Sequence, residues 1–145
     1  MPMRGFCLAL AMPLVAAACD GGGPPPNPKA MVGTYDVDVQ SAGRADPDIM
    51  SVTEGSVENV LLTFVSGGFS EIRCTVVGST GIRLVRQKID FTDATGKVSD
   101  LASGAGTINA NGEVDIAIYR TALSPSQATD GGSGVITYRI IGLRQ

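Results

Sequence analysis

Histidine is absent from the 145 residues. With it go Ser-His-Asp and Cys-His nucleophilic sites, and the usual zinc and iron ligand sets. Tryptophan is absent too, so an interior has to be built mainly from Val, Ile and Leu. Positive charge is scarce and dispersed: 11 Lys and Arg stand against 14 Asp and Glu. An acidic chain without a basic stripe excludes nucleic acid as a partner. No block of like charges suggests a disordered acidic tail. Arg83, Arg86 and Lys88 do cluster around Gln87, but a solvated face explains them better than an anionic headgroup or glycan contact.

The remaining chemistries thin out in the same way. Asp36 and Asp38 are paired at i, i+2 but fall on a polar strand face, which favours solvation over a glycosidase pair. Asp90, Asp93, Asp100 and Asp115 match no acid–base pair. Neither Asp90–Gly96 nor Asn109–Glu113 fits a calcium loop, and Asp130–Gly134 lacks the lysine of a phosphate loop. The expectation is a protein with no cofactor, no metal and no enzymatic activity.

What is present begins at the N-terminus. Residues 1–5 carry one positive charge, Arg4, and residues 6–18 are an apolar run of 13 ending in three alanines. The run is too short to cross a hydrocarbon core of ~30 Å. This pattern is that of a secretory signal peptide, residues 1–18. Val15-Ala16-Ala17-Ala18-Cys19 resembles the bacterial lipobox, although Ala16 stands where that family prefers Leu. The resemblance implies a lipid on Cys19, cleavage before it, and a protein held to a membrane of the bacterial cell envelope. Ala16-Ala17-Ala18 also satisfies an ordinary signal peptidase, which would release a soluble secreted protein. Residues 19–30 read as a lipidated cysteine and a Gly/Pro-rich tether, whose Asp20–Lys29 stretch reaches roughly 30 Å. Asp20 resembles an inner-membrane retention signal in some bacteria, and inner versus outer membrane stays undecided. Cleavage removes Cys7 and lipid consumes Cys19. Cys74 is then without a disulfide partner and, flanked by Ile72 and Val76, reads as a small core hydrophobe.

Residues 31–145 read as a single all-β domain. Period-2 alternation is clear over 32–40, 69–77, 113–119 and 135–143, separated by glycine and polar turns. Residues 59–65 are apolar at both parities and are expected to be covered on both faces. The phase slip in 82–92 calls for a bulge near Val85-Arg86, or for burial of both faces at the strand's start. Gly67-Gly68 suggests a two-residue hairpin. With weaker strands at 97–101 and 104–109 the count is eight. That predicts an antiparallel up-and-down small barrel, with a β-sandwich as the alternative. The architecture looks like that of a small lipocalin-like barrel, although Gly33-Thr34-Tyr35 differs from that family's Gly-x-Trp.

A non-enzymatic interaction or accessory module is the resulting expectation, with an envelope protein or cell-wall glycan as candidate partner. A small-ligand-binding barrel is the alternative. Function is expected on the two long connections, 41–57 and 120–133, which the eight-strand count places at one end of the barrel. Arg44, Asp46, Asp48, Met50, Arg120 and Gln127 are the candidate recognition residues. The same count sends Gly67-Gly68, Asp93–Gly96 and Asn109–Gly112 to the opposite end.

Overall fold

The structure is a computed structural model and describes residues 25–93, 96–121 and 135–145. The signal segment, Cys19, Asp20 and Gln127 lie outside the described residues. Eight strands follow in order: β1 (Gly33–Ser41), β2 (Arg44–Glu54), β3 (Asn59–Phe64), β4 (Ile72–Val77), β5 (Gly81–Asp93), β6 (Gly96–Ile108), β7 (Glu113–Thr121) and β8 (Val135–Arg144). Each pairs antiparallel with its sequence neighbours, and β1 closes on β8. The result is a closed up-and-down barrel, not a sandwich. Closure gives every strand two neighbours and leaves an open edge only where pairing stops short.

Alternation sets the two faces. Tyr35, Val37, Ile72, Cys74, Val76, Val114, Ile116, Ile118, Ile136 and Ile140 turn inward and are buried. Asp36, Asp38, Arg73, Glu113, Asp115 and Arg139 face out into solvent. In β5 the register with β6 shifts between Leu84 and Gln87, leaving Val85 and Arg86 opposite Ser103. This bulge is why Ile82 and Leu84 share the interior with Ile89 and Phe91. On β3, Val60, Leu62 and Phe64 are buried, but Leu61 is half-buried and Val65 is exposed. Only one face of that strand is covered, contrary to its sequence pattern.

The count of eight arises from different strands than the sequence suggests. Residues 41–57 are not a loop, because they contain β2. Its first half pairs with β1 alone, since pairing to β3 begins only at Met50. An open flank of this kind tolerates Pro47 and three charged residues, which masked the strand. The turn into it, Ala42-Gly43, has φ of 51° and 80°. That is the positive-φ pair of a tight hairpin, without the usual Asn or Asp to announce it. Conversely, 97–101 and 104–109 belong to the single strand β6. Gly67-Gly68 is not a two-residue hairpin either. It lies within the connection 65–71, in which Phe69 bridges to Phe91.

Connections alternate between the barrel's ends. The lower end holds 55–58, 78–80 and 109–112, together with the entry to β1 and the exit of β8. A 3-10 turn, Pro28–Met31, covers this end and sends Met31 into the core. Met31 is buried there, and its carbonyl accepts a 2.7 Å hydrogen bond from the Tyr35 hydroxyl. The Arg144 guanidinium donates to the Ala30 carbonyl at 2.8 Å and to the Tyr35 hydroxyl at 2.6 Å. Pro28–Ala30, the last residues of the segment read as tether, therefore already pack on the barrel.

Candidate functional site

The upper end holds 42–43, 65–71, the end of β5 with the start of β6, and the end of β7 with the start of β8. Here the interior changes character. Phe64, Phe69, Phe91 and Tyr138 form a ring cluster: Phe91 stacks on Tyr138 at 5.4 Å and 16°, and Phe69 stands edge-on to both. Beside them lie Arg120 and Asp100, the only buried charged residues among those described, 2 % and 0 % exposed. Arg120 Nε donates to Asp100 Oδ2, Nη1 donates to the Tyr138 hydroxyl at 3.0 Å, and the guanidinium lies 4.5 Å over the Phe91 ring. Burial opposes the charge on Arg120, but the hydrogen bonds to Asp100 and Tyr138 outweigh it and raise its pKa further. Arg120 Nη2 is buried and has no hydrogen-bond partner among the described residues.

Above this layer the mouth opens into a cavity of about 250 Å3, lined by Val39, Phe69, Tyr138, Thr92, Ser66, Asp46 and Asp48 among others. Taking ~30 Å3 per water, it could hold on the order of eight waters. Its rim is organised by Asp48, whose carboxylate accepts from the backbone amides of Ile49 and Ser66 at 2.8 and 3.0 Å and from the Ser66 hydroxyl. Asp48 thereby fastens the connection 65–71 to β2. Backbone bonds from Thr92 to Gly68 and from Ser70 to Asp90 hold the same connection over β5.

Of the six recognition residues expected from sequence, three reach this rim. Arg44, Asp46 and Asp48 stand opposite Ser41, Val39 and Val37, on the inward-facing rows where these open to solvent. Arg44 and Asp46 form an exposed ion pair of 3.0 Å, which contributes little to stability. Met50 does not reach the rim. It is wholly buried between Tyr35 and Phe64, because β2 carries it into the core. Arg120 is not on a loop but in β7, pointing inward at the upper end. Gln127 lies outside the described residues. The placement of loops also needs correction. Residues 41–57 run from the upper end to the lower one, and Gly67-Gly68 and the facing ends of β5 and β6 lie at the upper end; Asn109–Gly112 lies at the lower, opposite the end of β7 and the start of β8 as expected.

Asp100 and the aromatic cluster were not singled out from the sequence. A usable signal existed for Arg120: it extends the row Val114, Ile116, Ile118 by one more step of two. Asp100 had none, because its row on β6 continues through Ala102, Gly104 and Gly106.

A larger open groove of about 1230 Å3 runs along the outer face of β7, β8, β1 and β2. Carboxylates on β7 and β1 (Glu113, Asp115, Asp36, Asp38) alternate there with Ile141 and Leu143 on β8 and Ile49 on β2. Arg139 pairs with Asp115 at 2.8 Å, and this partner holds the Asp115 carboxyl below its ordinary range. Inside the barrel, burial pushes the Cys74 thiol up to about 12, so it stays protonated and unreactive at neutral pH.

No family model matches the chain, and no curated protein matches it. A solved structure described as EF1p2_mFAP2b bound to DFHBI is similar in fold, with a TM-score of 0.55 and 12 % sequence identity. The match covers 81 % of this chain and 95 % of that one.

Proposed function

We propose that the protein is a lipid-tethered, non-enzymatic module of the bacterial cell envelope, which binds a compact ligand at the upper mouth of its barrel. One observation carries this reading. The chain enters the barrel at the lower end, which the Pro28–Met31 turn plugs, while the cavity and its convergent polar groups lie at the upper end. An anchor on Cys19 would hold the plugged end toward the membrane and turn the mouth away from it. The similarity to a barrel whose description names a bound small molecule is consistent with a ligand at this end. An apolar interior with Asp36, Asp38, Arg73 and Arg139 outside is the reverse of a membrane-spanning barrel, where charge on the lipid face is costly. Tethering fits that arrangement better than insertion.

A second reading is docking onto an envelope protein through the outer groove, favoured by its exposed Ile49 and Leu143 between rows of carboxylates. It is compatible with a ligand at the mouth.

The anchor is tested in cells grown with radiolabelled palmitate. Label should enter the protein, and Cys19→Ser should abolish both labelling and membrane retention. Unchanged membrane association of that variant would remove the lipoprotein from the reading.

A further inference from the structure

Arg120 is a costly residue to enclose in a small barrel. Replacing a buried ion pair by apolar side chains is often neutral or stabilising, so its presence here is poorly explained by stability. Three of its features point to a ligand. Nη2 is buried and lacks an acceptor among the described residues, a state that native interiors rarely leave unfilled. The walls around the guanidinium are flat rings, with Phe91 beneath it and Tyr138 and Phe69 beside Phe91. Tyr138 also joins this enclosed cluster to the open mouth: its ring lines the cavity, and its hydroxyl accepts from Arg120 Nη1.

We propose that the ligand of the mouth is a small, planar, neutral carbonyl compound whose oxygen accepts a hydrogen bond from Arg120 Nη2. The inference rests on the mouth being the binding end. Neutrality follows from charge. Asp100 already matches Arg120 and Arg44 already matches Asp46, which leaves the Asp48 carboxylate as the net charge at the entrance, so an anion would find no free cation and one carboxylate in its way. Planarity follows from the rings, among which a flat ligand stacks as Phe91 and Tyr138 stack on each other. Phe69 is the side chain that must yield. It sits on the connection 65–71, edge-on to both rings and at the cavity wall, so its displacement opens the way from mouth to guanidinium.

The test uses the full lipidated chain in nanodiscs and two probes of one shape, benzamide and thiobenzamide, whose sulfur is the weaker acceptor. Benzamide should bind roughly tenfold tighter, as expected for a hydrogen bond to a charged donor. It alone should move the 15N resonance of Arg120 Nη2. In Arg120→Met/Asp100→Leu, which keeps the chamber filled and uncharged, the preference should disappear while the circular dichroism stays that of the barrel. Equal binding of the two probes at the mouth would overturn the carbonyl assignment and leave the mouth as a binding end. A preference that survives in the double variant would overturn it as well. Mouth resonances that respond to neither probe would remove both readings together.

Discussion

Arg120→Ala is expected to destabilise the barrel by about 3–5 kcal/mol, the cost of removing one member of a buried ion pair. Domains of this size are stable by only about 5–15 kcal/mol, so a fraction of the variant should be unfolded at growth temperature. The loss is more than a cavity. Asp100, 0 % exposed, loses a charged partner, Phe91 loses the guanidinium over its ring, and the Tyr138 hydroxyl loses a donor. Arg120→Met/Asp100→Leu should recover most of that loss, because it removes both charges and keeps the volume. Thermal melts of the wild type and both variants decide the matter. A single variant as stable as the wild type would mean that the pair is solvated in solution, and that the enclosed chamber does not exist there.

Gly104→Ala should cost about 3 kcal/mol or more, at the upper end for overpacking a tight interior. A Cβ at Gly104 would collide with the Ala117 carbonyl oxygen, and one at Gly106 with that of Asp115. Backbone, not a flexible side chain, is what each would meet, so β6 and β7 would have to separate. The two glycines let the backbones of β6 and β7 approach this closely. A melting temperature lower by roughly 10–15 °C is expected for Gly104→Ala. A shift below a few degrees would show that the two strands lie farther apart than described.

These two sites also show where sequence reasoning reaches its limit. Alternation was legible wherever large apolar and charged residues take turns, as in Tyr35-Asp36-Val37-Asp38 or Val114-Asp115-Ile116. The bulge in β5 was legible from the change of phase after Leu84. Strand β2 was hidden because half of it has one neighbour only and tolerates Pro47 and charges that a central strand would reject. The middle of β6 was hidden because its inward positions are Ala102, Gly104 and Gly106, whose role is to be small. The chamber at the upper end was the least visible part. Asp100 and Arg120 are 20 residues apart in sequence, and Phe69 reaches them only because the connection 65–71 folds back onto β5. Of the expected recognition residues, Asp46 and Asp48 line the mouth cavity and Arg44 pairs with Asp46 at its rim, whereas Met50 belongs to the core. Arg120 emerges with a different character, as an enclosed ion-pair partner instead of a loop side chain.

If a lipid on Cys19 tethers the protein as proposed, the mouth faces away from the membrane. A fluorophore attached at Ala42→Cys marks the upper end and one at Ser79→Cys the lower end; Cys74 is buried and its thiol protonated, so it escapes labelling. The lipidated chains are placed in vesicles whose headgroups carry a nitroxide quencher. The fluorophore at position 79 should be quenched much more strongly than that at position 42. Equal quenching, or stronger quenching at position 42, would contradict the account.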